Sequence, residues 1–451
     1  SKKMLKRSLA LGALMAFVIT GSAMANANPE LIAGNELSDS VNINQPNQSY
    51  TGFHMGGTEQ NPVILSTNRV YFFDVQDSKA DVINGLNIED CVIEYINRTD
   101  NQNANHRGTV IHKATNTSLV IDNSIIRNNI NKEMQGGRGF GVICSEGGSV
   151  TITNSDFIKN ESTDMGGAIY VHGNTVTTIT GSLFENNSAD EGGALCTNST
   201  SETTIKDSDF RGNTALVSGG ALNLQNKYLK LEGKNTFENN SAGDRGGAII
   251  VFSGGELDID GTATFTGNTA NGMANDIHND GTVNINEGAV ATLNGGMSGV
   301  GTTKIDGTLV LGNNSTMGAL AGDGGSIIKA EGVTADVTLT VNNTKANTNT
   351  AVSDSNINLI GVDLVINSDY TGAAYSSGVI KNTTIDSDSK VIINQNGEDH
   401  VLGKGNNTIN ADSIELNAAA GAAIYLHKDD SATLEAKTIK MTSNFTRDMT
   451  E

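Results

Sequence analysis

The sequence predicts an all-β chain, a right-handed parallel β-helix wound as a three-sided solenoid of stacked coils behind an N-terminal cap. Three observations carry this expectation. A motif of Phe, two residues and Asn, followed by Gly-Gly-Ala and an aliphatic residue, recurs along the chain, and internal repeats are the first signature of a solenoid. Its copies are Phe157, Asn160, Gly166 and Gly167; Phe184, Asn187, Gly192 and Gly193; Phe210, Asn213, Gly219 and Gly220; and Phe237, Asn240, Gly246 and Gly247. A fifth, Phe265 to Asn268, runs into Asn275-Asp276-Ile277 instead of the glycine pair. Successive Phe positions are 27, 26, 27 and 28 residues apart. Next, a short alternating segment precedes every Phe, with Ile152, Ile179, Ile205, Leu231 and Ile259 on one face together with Val150, Thr177, Thr203, Leu229 and Leu257 two residues earlier. A period of two is that of a strand. Last, nothing in the repeats sustains a helical period, and with 4% aromatic residues and no Trp the chain has little material for a large globular core.

Each part of the motif has a physical reason in such a fold. Coils stacked about 4.8 Å apart place every residue on its equivalent in the next coil, so one Phe and a few aliphatics per coil build a continuous core. The Asn is expected at a corner, its amide bonding the amides above and below while its backbone tolerates left-handed geometry. The Gly pair suits positive φ and close backbone approach at the next corner. A phosphate cradle would need these glycines between a strand and a helix, which the pattern does not provide.

Read from its start, the chain divides into four parts. Residues 1–25 read as a secretory signal peptide: Lys2, Lys3, Lys6 and Arg7, an apolar run from Leu9 to Ile19, then Ala23-Met24-Ala25. Residues 26–80, with all 3 prolines (Pro29, Pro46, Pro62) and the cluster Tyr71-Phe72-Phe73, read as the cap. Residues 81–280 are the long coils, the earliest marked by Leu86, Ile88 and Ile93 and then by Leu119, Ile121 and Ile126. Residues 281–451 continue in shorter, irregular coils, because Gly281-Thr282-Val283-Asn284-Ile285 aligns with Gly301-Thr302-Thr303-Lys304-Ile305 at a spacing of 20. Strand-like runs at Val337 to Val341, Val362 to Ile366, Val391 to Asn394 and Ile414 to Leu416 follow without a register that the sequence fixes. The net charge of −21 makes nucleic acid and anionic lipid poor partners. Cys91, Cys144 and Cys196 are too few for a disulfide framework. Aligning the repeats puts Cys144 and Cys196 in one column with Tyr170 between them.

The four complete motif pairs resemble the polymorphic outer membrane protein repeat of chlamydial surface autotransporters, over about residues 120–280, and the GTV, LNGG and GTLVLGNN phrases of Gly281 to Asn314 look like later autotransporter passenger coils. The resemblance implies export, a β-helical passenger, a location at the cell surface, the outer membrane or outside the cell, and adhesion to host or neighbouring cells. Autotransporters of that type end in a membrane β-barrel of alternating strands with interfacial aromatics. The last hundred residues here lack that pattern, so the chain reads as a fragment of a longer protein whose barrel would reach the outer membrane, or as a protein secreted without its own translocator.

A search for chemistry leaves one rival. Parallel β-helices also host polysaccharide lyases and glycoside hydrolases, which need carboxylates from adjacent coils to converge in a groove. The candidates are Asp164, Asp190 and Asp244, each two residues before its Gly pair, but Val217 holds the position in the coil between. His106 and His112 are the closest histidines and read as surface polar residues. No catalytic, cofactor or metal site is assigned. The expected partner is a cell-surface or matrix component, protein or glycan, bound in the variable turns Glu161 to Met165, Ala215 to Ser218 and Gly243 to Arg245.

Overall fold

In the computed structural model, the described residues are 41–444 except 66–70, 79–82, 99–105, 133–138, 199, 226, 344–350, 370–377 and 398. Residues 1–25, expected from the sequence to be a signal peptide, lie outside them. Among the described residues none is helical, and the strands stack in long sheets paired almost wholly in parallel, one strand per coil: a parallel β-helix.

Each long coil contributes to three main faces. The first face collects the alternating segments, with Gly148–Thr153, Thr175–Thr180, Glu202–Lys206 and Tyr228–Glu232 among its 13 strands. Its pairing sets Ile152 on Ile179, Ile179 on Ile205 and Ile205 on Leu231. The second face has 15 strands and carries the phenylalanines; the third, of 10 strands, follows the Gly pairs through Ile143–Ser145, Ile169–Val171, Leu195–Thr197, Leu222–Leu224 and Ile249–Val251. A fourth, narrow sheet lies between the Asn corner and the Gly pair, built from segments such as Glu161–Ser162 and Thr214–Ser218. Sequence reading missed it because pieces so short show no alternation. It ends at the Asn271-Gly272 turn, where Thr269–Ala270 meets Met273–Ala274 in an antiparallel pair, closing an edge that would otherwise stay open.

Stacking reaches back past Asp81. Val41–Ile43, Gln48–Thr51, His54–Gly56 and Val63–Ile64 each pair in parallel with a strand one coil on, so these strands of the stretch expected as a cap already wind as part of the solenoid. Tyr50 and Met55 stand there in the columns that Ile88 and Ile93 occupy next, which is why the motif is invisible in the sequence. Beyond Asp280 the 20-residue spacing is realised as Val283 on Thr303 and Ile285 on Ile305. The unplaced runs then fall into a single six-stranded sheet, with Leu339 on Leu364, Leu364 on Val391, Val391 on Ile414 and Ile414 on Ile439. Coil length changes there while the face is kept, so a search for one period cannot find it.

Candidate functional site: core columns and lateral faces

The repeated residues form the columns on which any lateral site must rest. Phe157, Phe184, Phe210, Phe237 and Phe265 stack ring on ring with centroids 4.8, 4.8, 5.0 and 4.6 Å apart and planes within 8° of parallel. All five are fully buried. The spacing equals the distance between neighbouring strands, so the stack is set by the backbone ladder.

Asn160, Asn187, Asn213, Asn240 and Asn268 form an amide ladder inside the corner. Asn187 shows its chemistry. Its Oδ1 accepts from both the backbone N and Nδ2 of Asn160, each at 3.0 Å, while its own Nδ2 donates to Asn213 Oδ1 at 3.0 Å and to the Phe157 carbonyl at 2.9 Å. Left-handed backbone geometry, expected at the Asn, falls instead on the residue before it: Lys159 (φ 53°), Asn186 (55°), Gly212 (61°), Asn239 (54°) and Gly267 (68°). The reason is division of labour. The preceding residue turns the chain, and the Asn keeps a backbone N–H aimed at the next amide. Replacing Asn187 with Ala should cost about 1–3 kcal/mol, because it orphans the buried Asn160 N–H. A urea denaturation midpoint unchanged from wild type would count against the ladder.

A second ladder escaped sequence reading. Cys91, Ser124, Ser155 and Ser182 each donate a backbone N–H to the hydroxyl one coil on, at 3.1 to 3.2 Å, and Ser208 donates to Asn235 Oδ1 at 3.1 Å. Serine is so common in this chain that only the register reveals the column.

The Gly pair divides its work as well. The first member, Gly166, Gly192, Gly219 or Gly246, has φ between 64° and 68°. The second stays outside that region but lies so close to the next coil that a Cβ on Gly193 would meet Gly220 O at 2.2 Å.

The lateral carboxylates suggested for an enzyme fall in one interrupted column. Met165 bridges Glu191, Glu191 pairs with Ser218 and Ser218 bridges Arg245, so Asp164, Asp190, Val217 and Asp244 occupy one outer column. Burial pushes the Asp190 carboxyl up, and Asp244 is paired with Arg245 at 3.1 Å. Val217 and its neighbour Leu216 interrupt the column, and Leu216 is 72% exposed. Among the described residues, no group of three or more His, Cys, Asp or Glu is placed to hold a metal ion.

His112 departs from the expectation of a surface residue: its side chain is only 16% exposed and joins an ionic cluster on the outside of the third face. Nδ1 lies 2.7 Å from Asp74 Oδ1 and Nε2 lies 3.5 Å from Glu146 Oε1; Arg107 bonds the same Glu146 oxygen, and the Tyr71 ring stacks on the imidazole at 4.4 Å. Burial disfavours the imidazolium, but the two carboxylates outweigh it and raise His112 to about 9. The His112 bond, joined by Arg107 against the cost of burial, lowers Glu146 to about 2. His112 is therefore a protonated brace at neutral pH, unsuited to act as a base. Its stabilisation is fully present below its ordinary 6.5 and lost as pH rises through about 9; that of Glu146 is present above 4.5 and lost as pH falls through about 2. The contribution of this brace should thus be full between 4.5 and 6.5 and fall on the alkaline side by about 3 kcal/mol in all, the two shifts sharing one interaction. Denaturation midpoints from pH 5 to pH 10 check this. The advantage of wild type over His112→Gln should shrink as pH rises from 6.5 through about 9, and a difference that stays constant would assign the stabilisation elsewhere.

Cys144, Tyr170 and Cys196 stand in one column, as the aligned repeats require, and both thiols are buried beneath Phe140, Tyr170 and Met165.

Residues 181–198 and 236–250 match the Chlamydia polymorphic membrane protein repeat. These stretches hold the Phe184 and Phe237 copies of the motif, so the repeat is recognised where its ring and amide columns are built. No curated protein and no solved structure matches the chain.

Proposed function

We infer that this chain, a carrier of the Chlamydia polymorphic membrane protein repeat in a parallel β-helix, is an exported surface protein that works as an autotransporter-passenger-like adhesin. It binds a host or neighbouring-cell component, protein or glycan, through its lateral faces and does not cleave it. One observation carries the reading: the inward columns hold the same residue from coil to coil, while the outward turns change. Two residues before the first Gly of each pair the successive outward residues are Asp164, Asp190, Val217 and Asp244, and the exposed pair Leu216-Val217 stands where the previous coil has Asp190. Constant columns supply a stiff rod and varied turns supply specificity. Glycan cleavage remains the competing reading through Asp190, whose carboxyl is raised by burial.

The test is to incubate purified residues 26–451 with cultured cells and, separately, with acidic and neutral polysaccharides. Saturable cell binding that Leu216→Asp reduces, with the fold kept by circular dichroism, is expected. Release of reducing or unsaturated sugar ends, abolished by Asp190→Ala and not by a surface control, would replace the adhesin by the enzyme.

A further inference from the structure

The change from long to short coils uncovers a column that the long coils keep closed. Asp276 forms the joint: it is fully buried, its Oδ1 accepts from Asn268 Nδ2 at 2.8 Å in the last long coil, and its Oδ2 accepts from Gly295 N at 2.6 Å in the first short one. Pairing on the third face sets Cys196 on Asn223, Asn223 on Ile250, Ile250 on His278 and His278 on Ser298. In the long coils Met165 covers the cysteines, and Glu191 reaches Asn223 at 3.1 Å. Met273, four residues before Ile277 as Met165 is before Ile169, lies instead in the antiparallel pair and is 67% exposed. Beyond it, only Asn294, Gly295 and Gly296 join the second face to the third. His278 and Ser298 therefore stand half-buried on the outside of the solenoid, whereas Cys196, Asn223 and Ile250 in the same column are fully buried.

The uncovered side chains form a hydroxyl relay. His278 Nδ1 lies 2.8 Å from Ser298 Oγ, and its Nε2 lies 3.1 Å from Asp280 Oδ2. Asp280 is itself held, its Oδ2 accepting from Arg245 Nη1 at 3.4 Å and its Oδ1 from Val300 N at 3.3 Å. A carboxylate on Nε2 keeps the proton there and leaves Nδ1 to accept from the serine, with the two ring nitrogens exchanged relative to the usual serine relay. His112 faces carboxylates on both nitrogens, whereas His278 faces a carboxylate on one and a hydroxyl on the other. Burial lowers His278 from its ordinary 6.5 against the pull of Asp280, so the imidazole is neutral and able to take a proton at neutral pH.

We propose that Ser298 is a nucleophile that hydrolyses small carboxylic esters, with His278 as its base and Asp280 as the positioning residue. Ser298 Oγ bonds to the ester carbonyl carbon as its proton passes to His278 Nδ1; the bond from that carbon to the alcohol oxygen breaks, and the alcohol leaves with the proton. Water then gives a proton to Nδ1 and its hydroxyl to the acyl carbon, Ser298 recovers the proton, and the carboxylic acid is released. Asn275 Nδ2, 2.9 Å from Ser298 Oγ, is the amide donor beside the oxyanion that forms. One such donor suits an ester, whose alkoxide leaves more readily than the nitrogen of an amide. On an outer face the acyl group is held by little beyond these side chains, which limits it to a small one. The reaction lies beyond adhesion and leaves glycosidic bonds intact.

Incubating the full chain with p-nitrophenyl acetate and, separately, with a fluorophosphonate probe tests this. Wild type should release p-nitrophenol catalytically, at a rate that rises with pH through a value below 6.5, and peptide mapping should find the probe on Ser298. Ser298→Ala and His278→Gln should each lower the rate about tenfold or more with circular dichroism unchanged, whereas His112→Gln should leave it as it was. If a variant misfolds, the label on the wild-type protein decides. A wild type that neither turns over the ester nor carries the probe at Ser298, or a rate kept by folded Ser298→Ala, overturns the proposal.

Discussion

Replacing Phe210 with Ala should lower the free energy of unfolding by about 3–5 kcal/mol, a larger loss than that expected for any polar residue in the corners. The side chain is fully buried, and its ring lies between those of Phe184 at 4.8 Å and Phe237 at 5.0 Å. Truncation removes transfer free energy and also leaves a gap with an aromatic face on either side. The neighbours cannot close it, because the strands that carry them are held at fixed spacing by the backbone ladder. In a solenoid each coil contacts only its neighbours, so the loss falls on the contacts from Phe184 to Phe237. Urea unfolding followed by circular dichroism reads the total, and hydrogen exchange reads the place. A loss below about 1 kcal/mol would mean that the column is loosely packed.

Gly193→Ala should be comparably damaging, at about 3 kcal/mol or more, although alanine is the smallest possible change. The added methyl would lie 2.2 Å from Gly220 O, 2.6 Å from Thr214 O and 2.7 Å from Thr214 N, all backbone atoms of the next coil. A flexible side chain would move aside, but these atoms belong to the ladder and can yield only by separating two coils. Gly192→Ala tests the other half of the pair, where φ of 64° makes left-handed geometry costly for a residue with a Cβ. Limited proteolysis is the measurement: Gly193→Ala should open new cleavage sites between Gly193 and Gly220. A variant as resistant as wild type would show that the coils are not in close contact there.

These effects rest on features of unequal legibility. The Phe, Asn and Gly columns could be read directly because identical residues return every 26 to 28 positions, and the pairing of Phe157 with Phe184 and of Val283 with Thr303 follows the alignment of the repeats. What the sequence concealed depends on position more than on residue type. The turning residue before each Asn is Lys159 in one coil and Gly212 in another, since the corner asks only for a backbone conformation. The brace around His112 was hidden by distance, because Asp74 is 38 residues before it and Glu146 is 34 after it, longer steps than the repeat that marks the later coils. Asp276 was visible as a break in the motif, but only burial and the bond to Gly295 turn that break into a joint.

All of this assumes that each residue sits on its equivalent one coil away. Cys144, Tyr170 and Cys196 offer a direct check, since Tyr170 pairs with each cysteine from adjacent strands. Two coil rises separate the native thiols by about 9.6 Å, beyond the roughly 7 Å Cα limit for a disulfide, whereas one rise of about 4.8 Å is within it. Peptide mapping of non-reduced digests should find Cys144 and Cys196 unlinked in the wild-type protein. In Tyr170→Cys, expressed with export to an oxidising compartment, it should find residue 170 linked to one of them. A Cys144–Cys196 peptide from the native wild-type protein would contradict the stacking register.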